Sequence, residues 1–317
     1  MEGRQKRSRE EDSEEPCKPT VSICVPDSIL SNAQSFELRT YLVGQIARAA
    51  AIYNIEEIVV LKDAHSSKDS QRKLDYTAFF IRNLEYVVRD RQETPQYLRK
   101  TLFPMHPDLK YSGLLNPLDT PHHLRADEWS KYREGVTVER PMKAEAGSWV
   151  NIGLRSVRTT QDIQVDMKLL PRTRVTVQLR KDDKDSRRHA GLKGKIVSAG
   201  KPRRHRYWGY TTRIAESITA ALSQGPYEEG YDLLLGTSDR GEPLPSSLPS
   251  VRHALLVFGG LAGLEDILDS DESTTLKDPC QLFHYYLNLC PSQGTRTIRT
   301  EEAVLIALAT LSPLLGR

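Results

Sequence analysis

Three segments in the C-terminal part of the chain place glycines directly after apolar runs: GTSDRG (236–241), FGGLAG (258–263) and NLCPSQGTRT (288–297). In a parallel α/β sheet, ligands collect at the carboxyl ends of strands. Glycine there lets backbone N–H and C=O groups approach a bound group closely. A single such glycine more often only makes a tight turn; three glycine loops close together point to a binding site. Nothing fits a phosphate cradle: GLKGK (191–195) is too short for GxxxxGK[ST], and there is no GxGxxG. His122 and His123 are adjacent and cannot share a helical face as an HExxH pair does, so no metal is expected. No serine sits in a GxSxG elbow. Cys17, Cys24, Cys280 and Cys290 form no CxxC pair, which argues against a disulfide scaffold and fits a reducing compartment.

The charges are unevenly placed. Residues 123–206 hold 21 Lys+Arg against 10 Asp+Glu, while the rest of the chain holds 24 against 32. A basic middle between acidic flanks suits a polyanion, most often nucleic acid, rather than a merely solvated surface. Arg187, Arg188, Lys201, Arg203, Arg204 and Arg206 cluster near the end of this stretch and are the candidate RNA-binding residues.

The elements that must carry these groups follow from periodicity. With 317 residues, 38% of them hydrophobic, the chain is long enough for about two domains and has the material for a core. No apolar run approaches a membrane span. Residues 1–20 read as a charged, disordered tail; its Arg4, Lys6, Arg7 and Arg9 fit either a nuclear import signal or a plain solvated tail. VSICV (21–25), the amphipathic stretch 37–54 and IEEIVVL (55–61) predict a β-α-β unit. Further helices are expected over 76–90 and 95–102, followed by a proline-rich irregular stretch. Between 134 and 202 lie five short β-branched segments, the pattern of a small all-β barrel, and they coincide with the basic stretch. Small basic barrels are a common way to hold RNA. After 206 the α/β grammar returns, with a helix predicted over 211–225 from Ile214, Ile218 and Leu222. Two strand–turn–helix segments complete the chain.

At this point five motifs become recognisable: TPHHLR (120–125), YWGYTTRIAES (207–217), YDLLLGTSDRGE (231–242), VFGGLAGLE (257–265) and NLCPSQGTRTIRTEEAVLIAL (288–308). Over residues 20–317 the chain resembles the SPOUT superfamily of RNA methyltransferases, in the archaeal–eukaryotic branch whose catalytic domain is interrupted by an OB-like domain. The resemblance implies an α/β trefoil-knotted domain with a parallel sheet, split as 21–124 and 207–317 around an inserted barrel at 125–206. It implies S-adenosyl-L-methionine as cofactor, cradled by Arg240 with Gly236 nearby, by Gly259 and Gly260, by Asn288 and Leu289, and by Gly294 and Thr295. Leu261 and Leu289 would wall the adenine slot. Arginines are the usual active-site residues of the superfamily, which makes Arg213 the candidate catalytic residue, with Arg296 and Arg299 behind it. Glu301 and Glu302 fit the first turn of the last helix better than a base role.

The function so implied is methylation of an RNA base, with ribosomal RNA as substrate and uridine N3 as a target atom by analogy. The rival is a non-catalytic RNA-binding or assembly protein that kept the fold. SPOUT proteins usually form homodimers. In the final helix Val304, Leu305, Ile306, Leu308, Leu311, Leu314 and Leu315 surround the axis, so a second cover is expected, either a partner subunit or the predicted helix at 211–223. A nuclear or nucleolar location is expected, with the cytoplasm as alternative.

Overall fold

The computed structural model describes residues 18–63, 75–90, 106–116, 118, 120–122, 124, 128–141, 147–155, 160–179, 193–203 and 206–317. The predicted helix at 95–102 lies outside them, as do Arg187, Arg188 and Arg204.

The α/β part is a six-stranded sheet whose pairings are all parallel. Its strands are β1 (Thr20–Pro26), β2 (Glu57–Leu61), β8 (Thr211–Ala215), β9 (Leu233–Pro243), β10 (His253–Val257) and β11 (Tyr285–Asn288), in the order β11-β9-β10-β1-β2-β8. Such a sheet is buried on both faces, and the sequence shows why. Val21, Ile23, Val25, Ile58 and Val60 enter one core, whereas Cys24, Val59 and Leu61 enter the other. Helices α1 (Phe36–Ile52), α2 (Tyr76–Asp90) and α7 (Thr300–Leu311) cover the first face. Helices α4 (Ile218–Ser223) and α5 (Gly263–Ser270) cover the second. Ser35 caps α1 by accepting from Leu38 N at 3.3 Å, and Asn54, at φ 54°, turns the chain back into β2.

Strand β1 therefore leads through α1 on one face, and β10 leads through α5 on the other. The connections diverge between β1 and β10, the switch point beside which open α/β sheets bind their ligands.

The insert is a closed barrel of β3 (Tyr132–Val138), β4 (Trp149–Arg155), β5 (Thr160–Val165), β6 (Arg174–Leu179) and β7 (Lys193–Val197). The order β3-β4-β5-β7-β6, with one parallel pair between β5 and β7, suits an OB-like five-stranded barrel. Val150, Ile152, Leu154, Ile163, Val165, Val177 and Leu179 fill it. A short helix α3 (Gly200–Arg203) leads back to the sheet, and a one-turn helix α6 (Pro279–Leu282) precedes β11.

Two expectations are corrected. Residues 211–225 are not one helix: 211–215 form the edge strand β8, and α4 begins only after Ser217, whose hydroxyl accepts from Ala220 N at 3.1 Å. The β-branched run Thr211-Thr212 and Ile214 favours a strand, while the apolar spacing alone suited a helix equally well. The final helix is also less evenly buried than expected. Val304, Leu308 and Leu311 face their own core, and Leu305 points out, 46% exposed. Helix α1, not the segment 211–223, is its neighbour.

Candidate functional site

The three glycine loops lie together at the carboxyl ends of β9, β10 and β11. The GTSDRG segment is not a free loop. Strand β9 pairs with β11 on both sides of it, with Tyr286 opposite Gly236 and Leu287 opposite Glu242, so residues 237–241 arch out over a single step of β11. Asn288 ties this arch down: its Nδ2 donates to Asp239 O at 2.8 Å, and its Oδ1 accepts from Cys290 N at 3.0 Å.

The glycines divide by role. A Cβ on Gly236 would stand 2.6 Å from the Phe283 ring, so this glycine admits two aromatic side chains rather than a ligand. A Cβ on Gly259 would lie 2.7 Å from the backbone of Gly263 and Leu264, so this glycine lets the β10 loop close onto the start of α5. Thr300 Oγ1 donates to Gly259 O at 3.0 Å and ties the same loop to the start of α7. Gly260 and Gly294 are different. At Gly260 the nearest atom to a Cβ would be Ser28 Oγ, 3.1 Å away, and around Gly294 there is open space. Backbone is thus bared at Gly294, whereas Gly260 lets its loop approach Ser28. Leu261 stands fully out beside Gly260, while Leu289 packs partly against the core. Thr295 Oγ1 donates to Thr297 O at 3.0 Å, holding its loop in shape. This bared glycine backbone and the flanking leucines are the kind of surface that a purine and its ribose need.

Arg240 is exposed on the arch, 3.9 Å from Glu265. Glu265 also accepts from Tyr286 Oη at 3.0 Å. Arg299 pairs with Glu301 at 2.7 Å and its N–H donates to Glu302 Oε2 at 3.0 Å; these residues build the start of α7, as expected for the two glutamates.

Arg213 is not brought to these loops. It lies on β8, at the far edge of the sheet, and its guanidinium turns towards the amino ends of the strands. There Nε donates to Glu57 Oε1 at 2.9 Å, and the terminal nitrogens donate to Ala220 O, Ala221 O and Tyr231 Oη. Tyr231 in turn donates to Glu57 Oε2. Burial and the Glu57 carboxylate push the Tyr231 phenol well above its usual range. Arg213 thus neutralises a buried glutamate and caps the end of α4. Nearby, burial pushes the Cys24 thiol up to about 12, which leaves it without thiolate character.

In the insert, Lys201 Nζ donates to Gln178 Oε1, Arg203 to Gly209 O, and Arg206 to Pro121 O. Lys201 and Arg206 remain exposed, as do Lys193 and Lys195 on β7. The TPHHLR and YWGY motifs meet between barrel and sheet: His122 packs against Tyr207 and Trp208, and Trp208 against Tyr132 of β3. Among the described residues, no group of His, Cys, Asp and Glu could hold a metal. No helix there is long and apolar enough to cross a membrane.

Residues 20–311 match the model of a family described as putative RNA methyltransferase. The chain belongs to that family. Its SPOUT motifs agree with this membership. Its relatives include the mouse 28S rRNA (uridine-N(3))-methyltransferase, 48% identical over 305 residues that cover 93% of this chain and 76% of that protein. The human protein of the same name is 47% identical, covering 93% and 78%. A putative methyltransferase of Caenorhabditis elegans, spot-1, is 35% identical, covering 92% and 79%. The methyltransferase family thus gives the reaction class.

Two residues at this edge have no counterpart in the sequence reading: Ser28, just beyond β1, and Asp63, just beyond β2. Their signal is positional, since each follows a fully buried strand.

Proposed function

We propose that this protein is an S-adenosyl-L-methionine-dependent methyltransferase that acts on N3 of a uridine in the large-subunit ribosomal RNA. The observation that supports the reading is the gathering of the glycine loops Gly259–Gly260 and Gly294–Thr295, the second with open space around it, at the carboxyl edge of a sheet from a methyltransferase family. The relatives' names supply the substrate and atom. Asn288, Leu289, Leu261 and the two loops would hold the adenosine, and Arg240 would meet the carboxylate of the cofactor or an RNA phosphate. The trefoil knot of the SPOUT class belongs to the same proposal.

When bound, the cofactor supplies a methyl group already activated on a sulfonium. The chain then has to align the base and take up its proton. The barrel holds the RNA through its exposed lysines and arginines, among them Lys201 and Arg206; Arg187, Arg188, Arg203 and Arg204 belong to the same candidate set. Action on ribosomal RNA supports a nuclear or nucleolar location.

We also infer a homodimer. Helix α1 exposes Leu38, Tyr41 and Ile52 along one stripe, and its neighbour α7 exposes Leu305. Large apolar groups aligned on two adjacent helices are the mark of an interface.

Calorimetry tests the cofactor assignment. Binding of S-adenosylmethionine, lost on closing the loop with Gly260→Val, is expected. An absence of binding at high micromolar concentration would overturn the enzyme reading in favour of an RNA-binding scaffold.

A further inference from the structure

We infer that Asp63, held in place by Ser28, is the group that takes the N3 proton of the target uridine. The inference rests on the uridine reading above and deepens it. Three neighbouring strands contribute to one spot. Gly260 follows β10, Ser28 follows β1, and Asp63 follows β2, so all three lie beyond the carboxyl ends of adjacent strands, next to the point where the connections diverge. Ser28 Oγ donates to Asp63 Oδ2 at 2.7 Å. Gly260 packs closely on this pair: a Cβ there would stand 3.1 Å from Ser28 Oγ and 3.9 Å from Asp63 Oδ2. The carboxylate thus adjoins the loop expected to hold the methyl donor.

Its position is fixed from behind. Asp27, fully buried, accepts from Asp63 N at 3.1 Å and from Thr77 Oγ1 at 2.5 Å. On the other side Asp63 lines an open cleft of about 620 Å³. The charged groups around that cleft are Asp27, Lys62, Asp75, Glu216, Asp271 and Glu272, with Lys62 paired to Glu216 at 2.7 Å. An acidic cleft repels phosphates but admits an uncharged uracil ring, as a base turned out of its strand requires. The charge separation matches this division of labour, with the backbone on the basic barrel and the base in the cleft.

The chemistry needs such a group. The N3–H of uridine is a weakly acidic imide and keeps its proton at neutral pH, where N3 has no free pair in the ring plane to attack with. Asp63 takes that proton as N3 forms its bond to the methyl carbon, displacing a neutral thioether that keeps the electron pair of the broken carbon–sulfur bond. The products are N3-methyluridine, S-adenosylhomocysteine and a protonated Asp63, which returns its proton to water through the cleft. Ser28 is a positioning residue, since it acts through Asp63.

The test uses the full chain with 28S rRNA transcripts made with uridine or with the more acidic 5-fluorouridine. Asp63→Asn should bind S-adenosylhomocysteine and transcript like the wild type, yet transfer methyl about 10²- to 10⁴-fold more slowly, the usual worth of a general base. Its rate should climb tenfold per pH unit as the imide ionises by itself, and 5-fluorouridine should restore much of it. Equal losses on both transcripts with an unaltered pH profile, or a wild-type rate, would overturn the assignment. Weakened S-adenosylhomocysteine binding with normal turnover at saturation would also overturn it, making Asp63 a cofactor ligand. Should Asp63→Asn not fold, Ser28→Ala decides: it must slow transfer on uridine more than on 5-fluorouridine, and equal effects reject the role. A wild-type product other than N3-methyluridine refutes the uridine reading itself, before any variant is made.

Discussion

Gly259 and Arg213 illustrate two ways in which one residue sets the fold of this enzyme. A methyl group at Gly259 would meet the backbone of α5, which cannot yield as a flexible side chain does. Gly259→Ala is therefore expected to cost about 1–3 kcal/mol, the usual range for overpacking. It should also weaken S-adenosylhomocysteine binding, because the adjacent Gly260 must move with it; thermal unfolding and calorimetry read the two effects separately. Arg213 neutralises Glu57, which is 2% exposed. Removing one partner of a buried pair leaves an uncompensated charge and costs about 3–5 kcal/mol. Arg213→Ala should thus lower the denaturation midpoint sharply, while the protein that remains folded binds S-adenosylhomocysteine normally. Unchanged stability with lost methyl transfer would return Arg213 to the active site.

The elements show what the sequence could and could not disclose. Strands β1 and β2 were legible as short apolar runs, helix α1 by its helical spacing, and the barrel strands by β-branched residues in partial alternation. Strand β8 was not, since Ile214, Ile218 and Leu222 fit a helical spacing although a Ser217 cap divides them. The glycine loops were legible as one cluster, but not which glycines are packed: Gly236 and Gly259 serve packing, a distinction made by residues far away in sequence. Ser28 and Asp63 were invisible because strand order, not spacing, unites them. Asp271 is an element-scale contact of the same kind. Its Oδ2 accepts from Ile218 N at 2.7 Å and its Oδ1 from Ser273 N at 2.7 Å, joining the end of α5 to the start of α4. Partial burial pulls its pKa upwards, but these hydrogen bonds outweigh it and hold the carboxyl below its usual range. A lowered carboxyl pKa stabilises the fold above the unfolded-state value and ceases to do so as pH falls through the folded value. Asp271→Ala should therefore cost about 1 kcal/mol at neutral pH, as loss of a helix N-terminal acceptor does. In urea titrations the difference from wild type should vanish at pH well below 4, the region of an ordinary carboxyl.

At the scale of the whole molecule, the proposed dimer face and the basic barrel can each be tested. Leu305→Arg combined with Leu38→Arg should leave the fold intact, because both side chains point outwards, and should convert a dimer to monomers in sedimentation experiments. A wild-type monomer at micromolar concentration would dismiss the interface. Leu311 is unsuitable for this purpose, being buried in its own core. The barrel makes a separable claim. Each phosphate contact releases counterions, so reversing Lys193, Lys195 and Lys201 should flatten the dependence of log affinity on log salt by about one unit per lost contact and spare cofactor affinity. The central claim is that this fold methylates uridine N3. Its most direct measurement is nucleoside mass spectrometry of a 28S rRNA transcript after incubation with the purified protein and S-adenosylmethionine. N3-methyluridine, formed in proportion to enzyme turnover, is the expected product. An unmodified transcript despite bound cofactor and bound RNA, or a methyl group on any other atom, would contradict it.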